Sequence, residues 1–142
     1  MLFIGCKIMD MRKIVYGLFI LLAGCGYMDN DGYVFKKAIV GNIEYSQQEN
    51  STAVSLIFAR DAHSNDIIIQ DCKGIFYDSA NKKIYIEEEL NKYISNYYEI
   101  IALNPQSTNY VEAYKQHEIT KEAFDSLSST HAYLIFSKVK KR

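Results

Sequence analysis

From Tyr33 onward the chain is built of short apolar runs separated by turn residues, and most of those runs alternate with a period of two. The stretch YVFKKAIVGNIEY, 33–45, is rich in β-branched and aromatic residues but loses its alternation near Gly41, which predicts one strand with a bulge or bend. AVSLIFA, 53–59, is short and almost wholly apolar, as a buried strand is. The polar connection RDAHSND leads to IIIQD, 67–71, so these two runs predict a hairpin. GIFYD, SANK and KIYIEEE form the clearest hairpin pattern, with Ile84 and Ile86 on one face and Tyr85 and Glu87 on the other. YYEIIAL, 97–103, is a further strand, stopped by Asn104 and Pro105.

The period then changes. Tyr110, Val111 and Tyr114 sit at helical spacing among polar neighbours. A second short helix starts after Thr120, a fair N-cap, and shows Ala123, Phe124 and Leu127 as its apolar side. Ala123 stands where a capping box needs Glu or Gln. HAYLIFSKV, 131–139, closes the pattern as a strand. The expected fold class is α+β: a mainly antiparallel β-sheet of about six strands with one or two short helices before the last strand.

The segment before Tyr33 has a different logic. Met11, Arg12 and Lys13 make a short basic start, Ile14–Leu22 is an uncharged run of nine residues, and Ala23 and Gly24 are small. That order describes a secretory signal. The uncharged stretch reaches only 15 residues even when extended to Met28, short of the ~20 that span a bilayer. As a helix of the folded domain it would be apolar on every side, which a small domain seldom covers.

The four residues Leu22-Ala23-Gly24-Cys25 that end this segment resemble the lipobox of bacterial lipoproteins. The resemblance covers the leader, roughly Met11 to Cys25. It implies cleavage between Gly24 and Cys25, a diacylglycerol on the Cys25 thiol, and often a third acyl chain on the new amine. It also implies an anchored, envelope-facing domain and, in a Gram-negative source, sorting to the outer membrane with the domain in the periplasm, because Gly26 rather than aspartate follows the cysteine. The ten residues before Met11 carry Asp10 where this class prefers bases, so the expected start is Met11 or Met9. The organisation is then a leader over 1–24, a lipidated cysteine with a short tether over 25–32, and a single globular domain over 33–142. GYMDNDG, 26–32, is rich in turn residues and too short for long reach.

Cysteine usage follows from this. Cys6 leaves with the leader and Cys25 is acylated, so Cys72 is the remaining thiol and is expected to be a small buried apolar residue. Removing Lys7, Arg12, Lys13 and Asp10 leaves 13 basic and 16 acidic residues. A mildly acidic domain is not a nucleic-acid binder and has no general attraction to anionic lipid, so anchoring falls to the acyl chains.

Candidate chemistry is sparse. His63, His117 and His131 form no HxH, HxxxH or HExxH spacing, so no metal site is signalled. His63 lies between Asp61 and Asp66 in what reads as a solvated hairpin loop. No serine sits in a GxSxG elbow and there is no glycine-rich phosphate loop, so neither a catalytic residue nor a small-molecule cofactor is expected. Glu87–Glu89 reads as solvated strand-end surface, with a cation or basic partner as the alternative. Tyr93, Tyr97 and Tyr98 are close in sequence and read first as half-buried strand residues; tyrosine also gives large contact area and a polar tip, which makes them candidates for a protein interface. The tail KVKKR suits either phospholipid head groups or a frayed end.

The expected function is therefore that of a membrane-anchored bacterial envelope lipoprotein that binds another protein. Immunity lipoproteins that neutralise secreted antibacterial effectors share this build of lipobox and one small domain. The alternatives are a structural or accessory subunit of an envelope or secretion assembly, and a small envelope hydrolase using His63 or His131 with a carboxylate.

Overall fold

The computed structural model describes residues 32–138, which fall within one compact unit. Among them nine strands and two helices follow in the order β1 (Tyr33–Val40), β2 (Ile43–Gln48), β3 (Val54–Ala59), β4 (Asn65–Ile69), β5 (Cys72–Asp78), β6 (Lys83–Glu89), β7 (Ser95–Ala102), α1 (Tyr110–Ala113), β8 (Tyr114–Ile119), α2 (Lys121–Thr130) and β9 (Tyr133–Ser137). β1 to β4 form a four-stranded meander, and a second sheet has the order β8-β7-β6-β5-β9. Every pairing is antiparallel. The fold is thus mostly antiparallel sheet with two short helices, broadly the expected class. It is not the single sheet of about six strands that the pattern suggests.

Three local causes account for the difference. First, Gly41 does not bend one strand; with Asn42 it makes a two-residue hairpin turn between Val40 and Ile43. Gly41 has φ +54°, and glycine at the first turn position is the residue that a type II′ hairpin requires. Second, the helical spacing at 110–114 yields only one turn, α1, before the chain extends into β8. Lys115–Glu118 are all exposed: β8 is an edge strand whose middle residues pair with β7 through the backbone while their side chains face solvent. A polar edge strand has no apolar period to detect, and its charges guard the edge against stray pairing. Third, the chain leaves the first sheet at Gln70-Asp71, with Asp71 at φ +45°, and begins the second at Cys72.

The two sheets bury one core between them. Ile43, Leu56, Phe58 and Ile69 of the first meet Ile75, Ile84, Ile86 and Ile100 of the second, all 3% exposed or less. A bulge in β4 puts both Ile68 and Ile69 toward this core. Cys72 belongs to it and is fully buried; burial pushes its thiol up to about 12.

The other face of the second sheet is covered by α2. Thr120 Oγ1 accepts from the Ala123 N–H at 3.1 Å, the expected N-cap. Phe124 packs edge-on to Phe76 with ring centroids 5.7 Å apart and against Tyr97 at 5.0 Å. Tyr85, opposite Phe76 in the register, is 1% exposed on this side. No helix among the described residues is long and apolar enough to cross a membrane.

Candidate functional site

Hydrogen bonds between successive turns give this sandwich two distinct ends, and exposed apolar side chains collect at each. At the first end the chain enters at Gly32, whose carbonyl accepts from the Glu49 N–H at 2.7 Å. Tyr33, Gln48, Gln70 and Asp71 line a common cavity of about 260 Å³, which ties the start of β1 to the β4–β5 link. The Asp71 carbonyl in turn accepts from the Glu89 N–H at 2.9 Å, so β6 ends here and the β6–β7 turn, 90–94, lies at the same end. Asn91 organises that turn: its Oδ1 accepts from the N–H groups of Tyr93 at 2.8 Å and Ile94 at 3.0 Å. The fixed tip exposes Leu90, Ile94 and above all Tyr93, which is 86% exposed. Between this tip and the start of α2 runs an open groove of about 910 Å³. Its lining mixes Lys73, Lys92 and Lys121 with Glu87 and Glu89 around Tyr97. A groove with both signs of charge and an aromatic wall offers donors and acceptors together rather than a field for one ion.

At the opposite end the β1–β2 turn meets the β7–β8 connection. The Asn42 N–H donates to the Pro105 carbonyl at 2.7 Å, and Asn42 Nδ2 donates to the carbonyls of Gln106 at 3.2 Å and Ser107 at 3.1 Å. The connection is also closed on itself. Leu103 and Asn104 donate to the Ala113 carbonyl, and Asn109 caps α1 by accepting from the Val111 N–H at 3.1 Å. Ala113 is fully buried and Tyr114 packs on Phe58 at 5.7 Å, so the one-turn helix is pinned to the core. Its outer side carries Tyr110 and Val111, with Leu103 beside the same connection; all three are about half exposed or more.

The structure separates the three tyrosines that adjoin in sequence. Tyr97 and Tyr98 are successive residues of β7 and point to opposite faces. Tyr97 stacks under α2, while the Tyr98 hydroxyl donates to Glu88 Oε2 at 3.1 Å and accepts from Asn96 Nδ2 at 3.3 Å. Burial raises the Tyr98 phenol above its ordinary value. Tyr93 stands away from both on the tip, and of the three only Tyr93 and Tyr97 line the groove.

The acidic run is not simple solvated surface. Each of its members is half buried and has a partner: Glu87 with Lys73 at 2.9 Å and Ser95 at 3.0 Å, Glu88 with Tyr98, and Glu89 with Lys138 at 2.6 Å. The Lys73 and Lys138 ammonium groups are raised chiefly by the hydrogen bonds to Glu87 and Glu89. The three histidines are all exposed: His63 in the β3–β4 loop, His117 on the β8 edge, and His131 at the C-cap of α2. The Asp61 carboxylate beside His63 accepts from its backbone N–H at 2.7 Å, a turn-forming role. No group of three or more His, Cys, Asp or Glu side chains placed to hold a metal occurs among the described residues. Gly24 and Cys25 lie outside the described residues.

Sequence reasoning misses the surface at Leu103, Tyr110 and Val111. Its signal is present in Tyr110 and Val111, whose helical spacing reads as an ordinary short helix. No family model, curated protein or solved structure matches the chain.

Proposed function

We propose that this protein is a bacterial envelope lipoprotein, held at the membrane by acyl chains on Cys25, and that its domain works by binding another protein. In a Gram-negative source it sits on the outer membrane and faces the periplasm. The observation that carries the binding reading is the end of the sandwich bearing Leu103, Tyr110 and Val111. Exposed apolar side chains there ride on a connection that is hydrogen-bonded to the β1–β2 turn, closed on itself and pinned to the core by Ala113, so a partner meets a surface whose ordering cost is already met by folding. Tyrosine is a common anchor of protein interfaces.

The concrete form of this reading is an immunity lipoprotein that blocks a secreted antibacterial effector. Its support is the build: a lipobox, a tether of a few residues, and one small domain. Deletion of the gene is expected to sensitise cells to attack by sibling cells, and the wild-type gene to restore protection. Tyr110→Asp and Val111→Asp, both at exposed positions, are expected to leave the fold intact and abolish protection and effector capture. Full resistance of the deletion strain, together with no effector recovered on the wild-type protein, overturns this form.

A further inference from the structure

We infer that the end of the domain where the chain enters is a membrane-docking surface, and that the β6–β7 tip inserts Leu90, Tyr93 and Ile94 at the interface of a phospholipid bilayer. Three independent features meet at that end. The first is the entry of the chain. Gly32 is seven residues after Cys25, a span of at most about 25 Å when fully extended. The second is the tip, which is both apolar and fixed: Asn91 holds its backbone, and Lys92 stands between the exposed side chains with its ammonium 5.5 Å from the Tyr93 ring centroid. An aromatic ring with a polar tip, flanked by aliphatic residues and a lysine, is the composition that settles at the boundary between head groups and acyl chains.

The third feature is the exit of the chain. The Lys138 N–H donates to the Lys73 carbonyl at 2.8 Å, and its ammonium bridges Asp71 at 3.2 Å and Glu89 at 2.6 Å. This one lysine therefore offsets two carboxylates beside the tip. Lys140, Lys141 and Arg142 follow it closely in sequence. The last cations of the chain thus follow from the end where the tip is exposed, although the domain as a whole carries more acids than bases. Bases that follow in sequence from an apolar contact complement the anionic head groups of a bilayer, and two weak membrane signals together hold where one does not.

The inference rests on the anchored reading for its geometry but not for its test. The chain has no tryptophan, so a single substitution supplies a unique optical probe. The full chain carrying Tyr93→Trp is expressed with its leader, its mass is measured, and it is placed on vesicles of phosphatidylethanolamine with a minority of phosphatidylglycerol. Its emission is expected to shift to the blue and to lose more than about half its intensity when the acyl chains are brominated, as for a side chain at the acyl boundary. Ala80→Trp, in the exposed β5–β6 turn at the other end, is expected to show neither change. Changing Lys140, Lys141 and Arg142 to glutamine in the Tyr93→Trp protein is expected to weaken the quenching. Equal quenching with and without those bases refutes the contribution assigned to them.

An acylated, vesicle-bound Tyr93→Trp protein whose indole stays unquenched overturns the inference and leaves the tip turned outward, open to a protein. An unmodified mass overturns the anchor instead. The unacylated protein is then added to preformed vesicles, where the same quenching upholds the tip and its absence refutes it.

Discussion

Gly41→Ala tests the joint on which the proposed partner surface depends. Two costs arise at Gly41, and Gly32 provides a control that carries only one of them. Both glycines have positive φ, +54° and +67°, so alanine at either is strained by about 1–2 kcal/mol. At Gly32 an added Cβ meets nothing within 4 Å. At Gly41 it would lie 2.3 Å from the Pro105 carbonyl oxygen and 2.5 Å from Pro105 C and Cβ. Backbone atoms cannot rotate away as a side-chain tip can, so the β1–β2 turn and the 103–109 connection must part by about an ångström to restore ordinary contact. That parting breaks the Asn42–Pro105 bond and stretches the two Asn42 side-chain bonds.

At about 1 kcal/mol per hydrogen bond the loss adds roughly 2–3 kcal/mol to the strain. The expected cost is therefore about 3–5 kcal/mol for Gly41→Ala and about 1–2 kcal/mol for Gly32→Ala. With a urea m-value of about 1.5 kcal/mol/M, the midpoint falls by roughly 2–3 M in the first case and by about 1 M in the second. Asn42→Ala isolates the side-chain share and should cost about 1–2 kcal/mol alone, yet less when added to Gly41→Ala, since the parting has then already weakened those bonds. Equal midpoints for the two glycine variants, or full additivity with Asn42→Ala, would refute the reasoning.

Other outcomes follow from the same structure. Phe124→Ala removes the ring that α2 places between Phe76 and Tyr97 and should cost about 3–5 kcal/mol by chemical denaturation, whereas Thr120→Ala should cost about 1 kcal/mol through the lost cap. With Cys6 and Cys25 changed to serine, Cys72 should resist a disulfide reagent in the native protein at mildly alkaline pH and react stoichiometrically on unfolding. Its raised folded value also fixes a sign: the neutral thiol is favoured in the fold, so this contribution is complete below the ordinary value of 9.0 and is lost as pH climbs toward about 12, read as a falling melting temperature. Asp78 has the opposite sign. Its carboxylate is lowered chiefly by the Asn81 side-chain hydrogen bond at 2.8 Å, so its contribution holds above the ordinary carboxylate range and is lost on acidification; Asn81→Ala should flatten that limb of a stability–pH profile.

What the chain reveals before folding depends on whether a residue's role is local. The β5–β6 hairpin and the α2 cap are written in neighbouring residues, and alternation and N-cap chemistry find both. The hairpin at Gly41-Asn42 has a local signal too, but glycine followed by asparagine between apolar runs suits a bulge as well as a turn, and the pattern reads as a bulge. Its purpose was not legible: glycine is needed there because Pro105, 64 residues later, lies against it. β8 escapes for a different reason, since its four middle residues gain stability from backbone pairing rather than from burial. The tyrosine cluster shows the limit of adjacency. Neighbours in a strand point apart, so Tyr97 and Tyr98 serve different layers, while Leu103 and Tyr110 are brought to one connection by the closure of a loop.

Under the proposed anchoring, the two ends bear on how the domain would meet a partner. β7 spans the distance between them with eight residues, about 26 Å at the usual rise per strand residue. If the tip rests on the bilayer, Tyr110 and Val111 stand about that far above it, beyond the head groups and open to a soluble protein. If the domain instead swings free on its seven-residue tether, both ends sample the membrane surface and the partner surface is intermittently hidden. Docking at the tip thus raises the fraction of time in which the far end is available, a preorganisation that appears as affinity without any new contact. Acylated protein carrying Leu90→Asp should therefore bind its partner more weakly on vesicles than wild type does, but equally well in detergent, where no surface orients it. Loss of binding in both settings would place Leu90 in the partner interface and reverse the assignment of the two ends.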